Sequence, residues 1–298
     1  MDKVALSVLQ QKYKLTEEEY DKYYKSVNLY FTTGKTSEAK PKLVFIAGQA
    51  GAGKSKLIPL VNEQLGFNAV LSDYDTVRSM HPNFAKANKE VPENVHLALL
   101  PGADKANEDL RHYCRDNNLN LIYEGTMRGT QVFLKVAQEF KDAGYEIDLA
   151  LMAVPKLESY GSTLFRCATA LLNNTGPRWV PKSVHDESYD NFIITLQELQ
   201  KHSLFDRATV YRRGTEEEQG VPVKIYSTEE QQFHDPIEAI QYGREHFRKD
   251  AVNAFPIKHN LVCNIFSQKA PSLLAKLTRW EDMYEKEKYA LENKEYTR

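Results

Sequence analysis

The chain has 298 residues, enough for one large domain with appendages or for two modest domains. Its 39 basic residues nearly balance 41 acidic ones, and the net charge of -2 gives no global basic field to draw it to nucleic acid or an anionic membrane. Cys114, Cys167 and Cys263 are widely spaced and form no C-x-x-C or Cys/His cluster, which argues for reduced thiols and against a zinc site.

The opening MDKVALSVLQQKYK has only a short apolar stretch, and no later run approaches the ~20 apolar residues of a membrane span. The reading is a soluble, cytoplasmic protein with no nucleic-acid or membrane partner. Residues 1–40 are polar and helix-prone: Thr16 is placed to cap a helix whose first turn is Glu17, Glu18 and Glu19, and GKTSEAKPK closes the segment as a linker.

From Lys42 short apolar runs alternate with helix-length segments. Strands are predicted at KLVFIAG (42–48), NAVLS (68–72), LNLIYEG (119–125), IDLALMAV (147–154) and ATVYRR (208–213), with a further edge strand at PVKIY (222–226). Continuous apolar strands separated by helices imply parallel right-handed crossovers. The fold class is therefore α/β, a parallel sheet flanked by helices, with helical extensions at both ends; the phosphate loop described next makes it P-loop kinase-like. The expected organisation is 1–40 as an N-terminal helical segment, 41–214 as the kinase core and 215–298 as a mainly helical extension.

Between the first strand and the next helix stands Gly48-Gln49-Ala50-Gly51-Ala52-Gly53-Lys54-Ser55, which fits G-x-x-x-x-G-K-[ST]. Glycines let the backbone curl until successive N–H groups point at phosphate oxygens, and the following helix adds its positive end. Lys54 is then expected to bridge the outer phosphates of a bound nucleotide, and the Ser55 hydroxyl is the expected Mg²⁺ ligand. No N-K-x-D or D-x-x-G accompanies the loop, so a guanine-nucleotide switch is disfavoured and small-molecule kinases lead.

Acids follow at the strand ends, where a parallel sheet forms its ligand crevice. Asp75, in Ser72-Asp73-Tyr74-Asp75-Thr76, is the expected base that takes a proton from an attacking hydroxyl. Asp73 has two readings, Mg²⁺ binding through water or capping of the following turn. Glu124, ending the third strand in Glu124-Gly125-Thr126-Met127-Arg128, is placed to bind a substrate hydroxyl, and Arg128 a substrate phosphate. Arg166 and Arg178 lie farther on, the first within a helix begun near Pro155 and the second in a Gly-Pro-Arg-Trp loop. On residue type alone, either arginine is a solvated surface group or a guanidinium for transition-state charge.

Taken together, GQAGAGKS (48–55), DYDT (73–76), HPNF (81–84), EGTMRG (124–129), MAVPKLESYGSTLFR (152–166) and PRWVPKSVHD (177–186) resemble the zeta-toxin family of P-loop kinases, over roughly residues 40–214. The resemblance implies ATP- and Mg²⁺-dependent phosphorylation of the 3'-hydroxyl of UDP-N-acetylglucosamine, a bacterial toxin activity that blocks peptidoglycan precursor use. It implies Asp75 as catalytic base, Glu108, Glu124 and Arg128 as substrate contacts, and Arg166 with Arg178 as the clamp on the ATP phosphates. It also implies a small helical antitoxin as partner. Val136 stands about where the family pattern places a substrate-contacting Thr. Two alternatives remain open: a kinase of the same fold acting on another nucleotide, a dinucleotide such as NAD or another small-molecule hydroxyl, and a nucleotide-binding regulatory module without transfer.

Overall fold

The acidic start of the second helix shows how local sequence sets this fold. Thr16 Oγ1 accepts the Glu19 N–H at 3.3 Å while the Glu19 carboxylate accepts the Thr16 N–H at 2.9 Å, a reciprocal capping box. The computed structural model describes residues 3–91, 94–173, 179–215, 217–230 and 233–295. Its helices are α1 (Lys3–Lys12), α2 (Glu17–Thr32), α3 (Leu57–Gln64), α4 (Tyr74–Ser79), α5 (Phe84–Glu90), α6 (Val95–Ala98) and α7 (Leu100–Asp116), then α8 (Thr130–Asp142), α9 (Lys156–Leu172), α10 (Lys182–Lys201), α11 (Pro236–His246), α12 (Arg248–Lys269) and α13 (Thr278–Glu295).

The strands are β1 (Lys42–Ala47), β2 (Ala69–Ser72), β3 (Asn120–Gly125), β4 (Glu146–Met152), β5 (Arg207–Arg212) and β6 (Val223–Ser227), in the sheet order β2-β3-β1-β4-β5-β6. β2 pairs with β3 and β4 with β5 in parallel, whereas β6 is antiparallel to β5, as an edge strand reached by a short connection. The predicted fourth strand runs two residues too far. The Ala153 N–H still donates to the Tyr211 carbonyl of β5 at 2.8 Å, and pairing stops at Val154, whose carbonyl accepts the Gln49 side-chain amide at 2.8 Å. Among the described residues no helix is long and apolar enough to cross a membrane.

The chain forms two compact units. The first comprises 1–44, 61–124 and 142–146. Within it α2 docks through its tyrosines: the buried Tyr23 hydroxyl donates to the Val77 carbonyl at 2.7 Å, and Tyr20 to the Asp109 carboxylate at 2.6 Å. A further apolar cluster joins Tyr13, Ala87, Val95, Ala98 and Leu99.

The second unit comprises 45–60, 125–141 and 147–298. The C-terminal helices are part of its core. Leu157, Tyr160, Leu164 and Cys167 of α9 pack with Phe255, Val262 and Phe266 of α12 and with Trp280 of α13. Trp280 Nε1 donates to the Leu157 carbonyl at 3.3 Å. α9 and α13 approach so closely at Gly161 that a Cβ there would lie 2.3 Å from the Trp280 ring.

Candidate active site

The motif residues fall into two groups, one in each unit. In the second unit, the phosphate loop needs backbone that L side chains resist: φ is +75° at Gly51 and +92° at Gly53. A Cβ on Gly51 would sit 2.1 Å from the Ser159 carbonyl oxygen, so the loop closes against the start of α9 only with glycine there.

Several bonds hold the curl. The Ala52 N–H donates to the Gln49 carbonyl at 3.1 Å, and the Ala50 N–H to Ser188 Oγ at 3.2 Å. Gln49 is buried, donating to Val154 and accepting from Arg244 Nη2 at 3.3 Å. Lys54 Nζ turns back to the carbonyls of Gly48 at 2.9 Å and Gln49 at 3.2 Å. Among the described residues no acceptor meets the N–H groups of Gly51 and Gly53, which leaves two backbone donors for phosphate oxygens. The exposed Ser55 side chain likewise makes no protein hydrogen bond among them.

An arginine outside the predicted set braces this loop. Arg213, just past β5, donates through Nη2 to the Gly51 carbonyl and through Nε to that of Ala52 at 3.3 Å. Its Nη1 reaches Ser162 Oγ at 2.7 Å and the Glu158 carboxylate at 3.1 Å, both on α9. The signal for Arg213 was its position at the end of the fifth predicted strand.

α10 is the scaffold that sequence motifs left unassigned. Besides holding Ala50 through Ser188, it donates from Thr195 Oγ1 to the Met127 carbonyl at 2.7 Å and from Asn191 Nδ2 to the Arg128 carbonyl at 2.8 Å. These residues recur at helical spacing, so one face of α10 carries both the phosphate loop and the Met127–Arg128 turn. The exposed Arg128 side chain lies 3.9 Å from Glu187. His185 on the same helix is fully buried 2.9 Å from Ser159 Oγ, and burial pushes its pKa down to about 4. Ser159 donates to the Lys156 carbonyl at 3.2 Å and is equally buried, so the Ser159–His185–Asp186 set pins α10 to α9 and presents no nucleophile.

Arg166 lies on α9 as expected, with an exposed side chain. Arg178 falls outside the described residues. Val136 is buried in α8.

In the first unit, Asp73 is the N-cap of α4: its carboxylate accepts the Asp75 N–H at 3.0 Å and the Thr76 hydroxyl at 2.5 Å. That supports the capping reading of Asp73 and presents Asp75 in the first turn of α4. Asp75 is half-exposed, and its Oδ1 accepts from Arg78 Nη2 at 2.5 Å. α7 supplies the neighbouring surface. Tyr74 donates to Asp104 at 2.6 Å, and Ser72 at the end of β2 donates to Asn107 at 2.7 Å, next to half-buried Glu108. One turn on, Arg111 lies over the Tyr123 ring at 5.2 Å, beside Glu124 at the carboxyl end of β3. Asp75, Glu108 and Glu124 thus belong to elements tied together by side-chain bonds in one unit, while the phosphate loop, Arg128 and Arg166 belong to the other.

Known proteins resemble this chain over most of its length. A family model described as zeta toxin matches residues 28–229, which include every motif residue named above. The chain is 32% identical over 209 residues to Toxin zeta of Enterococcus hirae, covering 70% of this chain and 71% of that protein. It is 32% identical over 228 residues to Toxin zeta of Streptococcus agalactiae, covering 76% and 77%. Among solved structures, one from the PezAT chromosomal toxin-antitoxin system of Streptococcus pneumoniae superposes with a TM-score of 0.72 at 24% identity, over 84% of this chain and 98% of that one. The AvrRxo1-ORF1:-ORF2 complex with ATP shares the fold more loosely, with a TM-score of 0.54 at 12% identity, over 85% of this chain and 83% of that one. With the family pattern matched over more than half of its length, the chain belongs to the zeta toxin family.

Proposed function

We propose that this protein is an ATP-dependent toxin kinase that phosphorylates the 3'-hydroxyl of UDP-N-acetylglucosamine. The observation that carries the transfer reading is the phosphate loop, with the Gly51 and Gly53 amides left without protein acceptors beside the Lys54 ammonium. Such a nest suits the oxygens of a bound triphosphate. When nucleotide binds, Lys54 exchanges its bonds to the Gly48 and Gln49 carbonyls for the outer phosphates.

The residues present fit Mg²⁺. The Ser55 hydroxyl is exposed and unengaged, and among the described residues no cluster of three or more His, Cys, Asp or Glu side chains forms a cage. That suits an ion held by one hydroxyl and by substrate phosphates. Ser55 would hold the ion, which would supply neutralisation of phosphate charge.

In this reading Asp75 takes the proton of the acceptor hydroxyl, with Arg78 steering its carboxylate and the Asp73 cap steering its backbone. Glu108, Glu124 and Arg128 bind the sugar nucleotide, and Arg166 and Arg178 act on the transferred phosphoryl group. The family match and the toxin names of its relatives support this assignment. A relative solved from a toxin-antitoxin system supports a small helical antitoxin as partner, and the reading carries with it action in the cytoplasm.

The test is incubation with ATP, Mg²⁺ and a panel of UDP-sugars, nucleosides and NAD, followed by mass spectrometry. A phosphorylated UDP-N-acetylglucosamine is expected. Phosphorylation of another acceptor alone moves the assignment to that compound, and nucleotide binding with no phosphorylated product leaves a binding module.

A further inference from the structure

Behind the phosphate loop, the second unit contains a cavity of about 510 Å³ between the start of α9 and the helices α10, α11, α12 and α13. Its size lies within the range of small-molecule sites, roughly 300–1,000 Å³. None of the phosphate-loop residues, nor Asp75, Glu108, Glu124, Arg128 or Arg166, lines it. Its walls combine an apolar side, from Leu157, Tyr189 and Ile193, with the cations Lys156, Arg244 and Arg248.

The cations differ in how they are compensated. Arg248 is bonded to Glu245 and Glu287, which also line the cavity, and Lys156 lies 3.2 Å from Asp186. Arg244 is buried, with 9% of its surface accessible, and among the described residues it meets no carboxylate. Its guanidinium stacks on the Tyr189 ring at 3.6 Å, and Nη2 reaches only neutral acceptors, the Tyr189 carbonyl at 3.0 Å and Gln49 Oε1 at 3.3 Å. The Nε atom is buried without a partner. A guanidinium stays charged at any ordinary pH, and a buried charge is costly unless paired.

With Arg248 and Lys156 each met by a carboxylate, the charge left in excess is that of Arg244, which meets none among the described residues. A single carboxylate on an apolar body balances that excess and matches guanidinium geometry, whereas a dianion overcompensates it.

We propose that this cavity is a second ligand site, which binds a small monocarboxylate with an apolar or aromatic body against Arg244 and Tyr189. Through the Arg244–Gln49 bond the site lies one side chain away from the phosphate loop.

Benzoate is a suitable probe, with benzyl alcohol as the uncharged control. Titration of the full chain by calorimetry in the presence of saturating ADP and Mg²⁺ keeps the phosphate loop from reporting the binding. Benzoate is expected to bind at about 1 mM or tighter, and benzyl alcohol at least about ten-fold more weakly. Arg244→Gln is expected to weaken benzoate about ten-fold or more. Because that substitution touches a buried stack, Gln241→Phe serves as the second variant: Gln241 is exposed at the cavity lining, and the larger ring fills the space without touching the charge. No benzoate binding to the wild-type chain overturns the proposal, as does undiminished binding to folded Gln241→Phe.

Discussion

The Ser188 hydroxyl accepts the Ala50 N–H at 3.2 Å across 138 residues of sequence, and donates its own proton to the His185 carbonyl at 2.8 Å. One side chain therefore transmits the position of α10 to the backbone of the phosphate loop. Ser188→Ala removes the bond to His185 within α10 and the one neutral bond to the loop, the latter worth about 1 kcal/mol. Nucleotide affinity is expected to fall about five-fold with the fold retained, as read by ADP titration. Unchanged affinity would show that Ser188 is a spectator.

Arg213 makes a stronger contact with the same loop, spanning the Gly51 and Ala52 carbonyls and the Glu158 carboxylate. Arg213→Ala is expected to lower nucleotide affinity about ten-fold or more, since charge-assisted bonds exceed neutral ones. Arg213→Lys restores the charge but not the fork, so only partial recovery is expected. Full recovery with Lys would reduce the role to simple electrostatics.

Asp73 and Asp75 are two residues apart yet separable by experiment. Asp75→Asn is expected to reduce phosphoryl transfer about a hundred- to ten-thousand-fold, the span of general-base contributions, with little loss of stability because the Asp75 carboxylate is half-exposed and Asn keeps an oxygen acceptor for Arg78. Asp73→Ala removes the α4 cap and is expected to cost about 1 kcal/mol of stability, measured by urea denaturation. If Asp75→Asn transfers phosphate normally, Asp75 is not the base.

His81 and His185 are both buried, and burial lowers each pKa from 6.5 to about 4. The unfolded chain then binds protons that the folded chain does not, from pH 6.5 downward, so stability is full above 6.5 and is lost as pH falls toward 4. The slope from each histidine is at most about 1.4 kcal/mol per pH unit. Urea midpoints measured across this window are expected to fall, and less steeply in His185→Gln. An equal slope in that variant would remove His185 from the account.

Gly161 faces Trp280 at a distance no side chain tolerates, since a Cβ at that position would lie 2.3 Å from the ring. Gly161→Val is expected to cost about 1–3 kcal/mol or more through overpacking. Trp280→Ala is expected to cost about 3–5 kcal/mol through the cavity it opens. Both belong to the core that supports α9, and denaturant midpoints report them. A neutral Trp280→Ala would mean that α13 adds nothing to that core.

Much of the fold is legible in the sequence. Alternation of apolar runs with helix-length segments marks six strands within a residue or two, because buried parallel strands need continuous apolar sequence. Thr16 announces its cap, because capping needs only residues three apart. The glycines of the phosphate loop are legible for the same reason, since backbone sterics are local.

Arg213 is less legible. The fifth predicted strand leads to it, but an arginine at a strand end looks the same whether it braces a loop or faces solvent. The two readings of Asp73 differ only in where its oxygens point, and the folded α4 turns them to Asp75 and Thr76.

By itself, then, the sequence determined the order of elements, the phosphate loop and the acids that follow strands, all of which depend on neighbours a few residues apart. Tertiary structure alone decided that α10 holds Ala50, Met127 and Arg128 on one face, and that helices beyond residue 214 complete the core around α9. Those relationships join residues that no local period connects, and they exist only once the packing of apolar faces has brought distant segments together.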